Sequence, residues 1–168
     1  VFYTSNYGDM QLRETIAWKL TTQNQIPTKA TEVLVTVGLS EAIFDLLCTI
    51  LDAGDEILVP DPVWMNYVNV PRLLGAVPVS YRLREENDYQ MDLDEVRSKI
   101  TDKTKALVIV TPNNPTGSVL SEEVLTELAK LAVEKDILII ADEVYERLLY
   151  DGTKHVSIAS LPGMKELP

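Results

Sequence analysis

The sequence predicts an α/β domain, a three-layer αβα sandwich built on a mainly parallel sheet. Three observations predict it. Short apolar, β-branched runs alternate with stretches of helical spacing four or more times; residues 106–110 read A-L-V-I-V, apolar at every position as in a strand covered on both faces; and Gly, Pro and Asp separate the runs. At 168 residues and 46% hydrophobic, the chain can bury one substantial core, so one domain is expected. It shows no internal repeat, low-complexity tract or linker.

Residues 3–8, Y-T-S-N-Y-G, are turn-rich, and Asp9 can cap a helix whose Leu12, Ile16, Ala17 and Leu20 fall on one face and which ends near Asn24, before Pro27. Val33 to Val37 reads as a strand, and Gly38-Leu39-Ser40 turns it into a helix carrying Ala42, Ile43, Leu46, Leu47 and Ile50. Ala53-Gly54-Asp55 precedes a short buried strand, Glu56 to Val59, closed by Pro60-Asp61-Pro62 with Trp64 just beyond. Met65 to Leu74 is compatible with a helix despite Pro71; Gly75 ends it and leads to a strand from Val77 to Leu83.

Arg84 to Asp88 is a charged loop, and Asp92 opens a short helix ending near Ile100. The strand Ala106 to Val110 follows. Ser121 starts a helix whose first-turn acids, Glu122 and Glu123, suit its dipole and whose inner stripe is Leu125, Leu128, Ala129 and Ala132. Ile137 to Ala141 is the next strand, Leu148 to Gly152 reads as an edge strand and turn, and residues 157–168 are irregular.

Charge and cysteine content exclude several classes. With 26 acidic against 15 basic residues the net charge is −11, and no Lys/Arg run offers a phosphate-backbone footprint, so neither nucleic acid nor an anionic membrane is an expected partner. No apolar run approaches the roughly 20 residues that span a bilayer, and no charged-then-apolar leader opens the chain. The one cysteine, Cys48, sits in an apolar stretch and reads as core; with no Cys/His cluster there is no metal signal, and a reducing, cytoplasmic setting is expected. His155 reads as a surface residue of a polar tail, and Glu85, Glu86, Glu122 and Glu123 as solvated faces.

In a parallel sheet, ligands bind beyond the carboxyl ends of the strands, so polar groups delivered there are site candidates. The Gly38 turn at a helix start offers free N–H donors suited to a phosphate, although T-V-G-L-S-E-A is neither a dinucleotide fingerprint nor a Walker loop and fits an ordinary strand–helix turn as well. Trp64 suits stacking on an aromatic ligand or a place in the core. Asn114, within P-N-N-P-T-G, is either a ligand donor or the maker of its own turn. Asp142, after four apolar residues, is a carboxylate that is costly to place at a crevice floor unless a donor or cation meets it, with a turn cap as the alternative.

Taken together, Y-T-S-N-Y-G-D-M-Q-L-R, T-V-G-L-S-E-A, P-D-P-V-W-M-N-Y, T-P-N-N-P-T-G and A-D-E-V-Y, in that order, resemble the fold-type I pyridoxal-phosphate enzymes, in particular the class I/II aminotransferases. The resemblance implies the cofactor pyridoxal 5'-phosphate and a role for each candidate. Asp142 would pair with the pyridine N–H and keep the ring an electron sink. Tyr145 and Asn114 would donate to the ring's phenolic oxygen, and Trp64 would stack on the ring. Leu39 and Ser40 would hold the phosphate through their N–H groups and the Ser40 hydroxyl, at a turn that Gly38 permits. Tyr3 matches the tyrosine that reaches the phosphate of the neighbouring subunit in a homodimer.

The lysine that forms the family's Schiff base is expected in a Ser-x-x-Lys-like context a few dozen residues after A-D-E-V-Y; only Lys154 and Lys165 follow, and neither has that context. Residues 1–168 are therefore expected to be part of the large, cofactor-binding domain, without the lysine segment and the small domain, and inactive alone. The implied reaction of the parent protein moves an amino group between an amino acid and a 2-oxo acid. A carbon–sulfur β-lyase of the same fold and a non-enzymatic regulator domain are the alternatives.

Overall fold

The chain places four parallel strands side by side in the order β2-β1-β3-β4, where β1 is Glu56–Asp61, β2 Val77–Arg82, β3 Thr104–Val110 and β4 Leu138–Asp142. The structure, a computed structural model, describes residue 3 and residues 5–165. Among the described residues five α-helices accompany the sheet: α1 (Met10–Gln23), α2 (Gly38–Ile50), α3 (Asn66–Leu73), α4 (Leu93–Lys99) and α5 (Glu122–Lys135).

Strand alternation sorts the core into two packs, one on each face of the sheet. Leu58, Leu107 and Ile109 point to the side where Val96 of α4 and Leu125, Leu128, Leu131 and Ala132 of α5 are buried. Ile57, Val59, Ala106, Val108 and Val110 point the other way, onto Ile43 and Leu47 of α2 and Tyr67 of α3. Helices thus lie on both faces, as three layers require. Each fully buried Leu or Ile contributes on the order of 1.5–3 kcal/mol by leaving water.

The helix starts follow local chemistry. Asp9 accepts from Leu12 N–H at 3.1 Å, Asp92 from Asp94 and Glu95 N–H at 3.0 and 3.1 Å, and Ser121 from Val124 N–H at 3.3 Å. Pro71 lies inside α3, and Gly75 ends the helix turn at φ 78°, where a Cβ would meet the Ala53 Cβ at 3.2 Å.

Five expectations need correction. Of the face expected of α1, Ala17 is buried and Ile16 and Leu20 are half-buried, but Leu12 is 45% exposed and the other buried residue is Arg13, which donates to the carbonyls of Val33 (2.9 Å) and Ala30 (2.7 Å), because α1 packs mainly on the 30–33 turn. Residues 33–37 form no strand, since a strand exists through its ladder and, among the described residues, this run's one backbone bond to a distant segment is Val35 N–H to the Tyr7 carbonyl at 3.1 Å. Residues 148–150 are irregular for the same want of a partner, and only the Asp151-Gly152 turn forms. Cys48 is exposed, because α2 buries the i, i+4 pair Ile43 and Leu47 and Cys48 falls off that line. His155 is not on the surface: its side chain is only 7% exposed, packed beside Glu143.

Candidate functional site

From β1 the chain steps outward to β2 and then returns past β1 to β3, so the strand order reverses between β1 and β3. Crevices at such reversals, beyond the carboxyl ends of the strands, are where open α/β sheets hold ligands. Trp64 follows β1, Asn114 follows β3 and Asp142 ends β4, opposite Val110. These residues meet. Leu39, Trp64, Val110, Asn114, Asp142, Val144 and Tyr145 line one cavity of about 280 Å³, near the small end of the range for ligand pockets, roughly 300–1,000 Å³.

Asp142 is buried at the cavity wall, and both carboxylate oxygens accept hydrogen bonds: Oδ2 from the Tyr67 hydroxyl at 2.9 Å and Oδ1 from Val144 N–H at 3.2 Å. No Lys, Arg or His pairs with it among the described residues. A buried carboxylate held only by neutral donors retains lone pairs for a cationic N–H. Tyr67 is itself buried; burial, and secondarily the Asp142 charge, push its phenol far above the ordinary tyrosine range, so it is a donor at any working pH. The Trp64 and Tyr67 rings meet edge to face, centroids 6.5 Å apart at 79°.

The turn after β3 divides labour between its two asparagines. Asn113 makes the turn: its Oδ1 accepts from Thr116 N–H (3.3 Å) and Oγ1 (3.1 Å), and its carbonyl from Gly117 N–H (2.8 Å). Asn114, spared that task, lines the cavity.

At the start of α2, Gly38 holds φ 78°, and a Cβ there would meet nothing within 4 Å, so it is backbone conformation and not crowding that calls for glycine. Ser40 Oγ accepts from Asn66 Nδ2 at 3.3 Å, which ties this helix start to α3. Leu39 reaches the cavity wall; Gly38 and Ser40 do not line it. Tyr3 is fully exposed and outside it. Neither Lys154 nor Lys165 lines it either: Lys154 borders a separate hollow with His155, and Lys165 pairs with Glu32 at 3.5 Å.

Sequence reasoning gave no role to Tyr67 or Asn66. The available signal was proximity, since Tyr67 follows Trp64 by three residues within P-D-P-V-W-M-N-Y.

The family model for aminotransferase class I and II matches residues 2–167. The chain is 44% identical over 165 residues to aromatic-amino-acid aminotransferase 2 of Thermococcus litoralis, covering 98% of this chain and 42% of that protein. It is 46% identical over 167 residues to aspartate aminotransferase of Pyrococcus abyssi, again covering 98% and 42%. In structure it is similar to an aromatic aminotransferase from Pyrococcus horikoshii, with a TM-score of 0.94 and 42% identity over 97% of this chain and 44% of that one. The chain thus spans well under half the length of the relatives it matches.

Proposed function

This chain belongs to the aminotransferase class I and II family, whose members depend on pyridoxal 5'-phosphate, and we propose that its cavity seats that cofactor in a protein that transfers an amino group between an amino acid and a 2-oxo acid. The observation that carries this reading is the convergence of Leu39, Trp64, Asn114, Asp142 and Tyr145, from four separate stretches of chain, on one cavity. The donor set fits the group. Asp142 meets no cation among the described residues, and the start of α2 offers backbone N–H groups at a glycine turn, suited to a phosphate dianion.

When bound, the cofactor supplies an electron-withdrawing ring that stabilises the negative charge left on the substrate's α-carbon as its proton leaves. The chain's residues prepare for this. Asp142 accepts the ring N–H and keeps it protonated, while Tyr67 and Val144 N–H fix the orientation of its carboxylate. Trp64 covers a ring face. Asn114 and Tyr145 donate toward the phenolic oxygen. Leu39 and Ser40 hold the phosphate, with Asn66 orienting the Ser40 hydroxyl. In a homodimer Tyr3 would reach the partner's phosphate. The residues described form part of a larger cofactor-binding domain; the half-buried Leu138, Ile139 and Ile140 of edge strand β4 are the surface that further polypeptide covers.

Titrating the full-length protein with pyridoxal phosphate, then assaying it with aspartate or an aromatic amino acid and 2-oxoglutarate, tests the reading. Saturable cofactor binding with amino transfer is expected. A protein that takes no cofactor, or that releases the amino group as ammonia, overturns it.

A further inference from the structure

We propose that Glu143, Glu146 and His155 form a site for a divalent transition-metal ion, of the zinc or cobalt class, beside the A-D-E-V-Y turn and outside the proposed cofactor cavity. One ligand atom from each of the three lies within 4.8 Å of the others. The neighbouring residues explain why the spot lacks something. The His155 side chain is only 7% exposed, yet among the described residues neither ring nitrogen finds a hydrogen-bond partner; Nε2 lies 3.3 Å from Glu143 Oε2, near enough for attraction but not aligned for donation. Glu143 Oε1 and Asn24 Oδ1 are buried and without partners as well. Burying a polar group without a partner is costly, so several at one spot call for an occupant.

Glu146 differs from its neighbours. Its Oε1 is paired with Lys19, with Arg147 3.6 Å away, and its Oε2 accepts from Asn24 Nδ2 at 2.7 Å. Glu146 is therefore compensated and Glu143 is not. A cation placed between Glu143 Oε1 and His155 would answer the uncompensated charge and the idle imidazole at once, with Glu146 completing the shell in competition with Lys19. An imidazole ligand suits zinc and the later transition metals, whereas magnesium, calcium and manganese suit all-oxygen sets. A hollow of about 510 Å³, bordered by Asn24, Glu146 and His155, gives a hydrated ion its way in. Bound there, the ion would fasten the turn that follows Asp142, and carries Tyr145, to the segment of His155. This inference does not rest on the cofactor reading.

The test uses the tag-free full-length polypeptide carrying Cys48→Ser, to remove the exposed thiol, stripped with chelator and free of cofactor. Isothermal titration with Zn²⁺, with Co²⁺ absorption as a second probe, is expected to show one saturable site at about 10 µM or tighter. His155→Gln and Glu143→Gln, each with an unchanged far-UV spectrum, should weaken it at least about tenfold, and Mg²⁺ should not compete. No saturable site below about 1 mM, or zinc binding indifferent to both substitutions, overturns the proposal. So does a His155 that NMR shows protonated and paired with Glu143 in protein that takes no metal.

Discussion

Tyr67 and Asp142, 75 residues apart, are joined by a hydrogen bond of 2.9 Å in which the phenol donates to carboxylate Oδ2. That bond connects the first turn of α3 to the last residue of β4. Tyr67→Phe retains the buried ring and removes only the donor, so the cost is that of one lost buried hydrogen bond, about 1–2 kcal/mol in denaturant unfolding. Cofactor affinity in the full-length protein should also fall, because one oxygen of Asp142 loses its fixed partner. Affinity equal to wild type would confine Tyr67 to a packing role.

Asp142→Ala should leave the fold largely intact and abolish transamination. A loss of a thousandfold or more is expected, about 4 kcal/mol of transition-state stabilisation. Near-normal turnover would remove Asp142 from its proposed part.

The two asparagines of P-N-N-P-T-G should separate cleanly. Asn113→Ala removes the acceptor that holds the turn and should lower stability by about 1–2 kcal/mol. Asn114→Ala should scarcely change the melting temperature while weakening cofactor binding and shifting the absorption of the bound ring. The reverse pattern would mean that the turn, not the cavity, needs Asn114.

Leu128→Ala empties a fully buried position between α5 and the sheet. The expected destabilisation is about 2–5 kcal/mol, read from the denaturation midpoint at unchanged slope.

Stability should also depend on pH through Glu146. Burial opposes its ionisation, but hydrogen bonds from Lys19 and Asn24, with the charges of Lys19 and Arg147, outweigh that and hold its pKa below the ordinary carboxylate value of 4.5. A depressed folded-state pKa means that the stabilisation is complete above about 4.5 and is lost as pH falls through the folded value. Lys19→Met should therefore cost about 1 kcal/mol at pH 7 and progressively less below pH 4.5. An equal cost at pH 7 and pH 3 would exclude the ion pair as its source.

Much of this was legible in the residues alone, and the pattern of failures has a physical cause. β1 and β3 could be read because an apolar run covered on both faces has few other solutions, and the stripe on α5 because α5 packs squarely on the sheet. Four of the five ordered motifs likewise marked residues that the structure brings to the cavity, Leu39, Trp64, Asn114, Asp142 and Tyr145, while the first, with Tyr3, lies outside it. α1 misled because a guanidinium can be buried when carbonyls receive it, as those of Val33 and Ala30 do for Arg13. Residues 33–37 misled because β-branched composition states a preference for extended backbone, while a strand needs a neighbour. Tyr67 and His155 were invisible for a third reason. Their importance comes from Asp142 and Glu143, and contacts between residues so distant in the chain appear only once the layers have closed.

The two core packs share the same strands, with Leu58 serving one and Ile57 and Val59 the other. Slipping β1 by a single position would hand each pack the side chains cut for its opposite, so an error on one face cannot be absorbed there and left unnoticed on the other. The halves of this molecule therefore proofread each other: misalignment is penalised twice, and the native alignment should assemble in one concerted step rather than face by face.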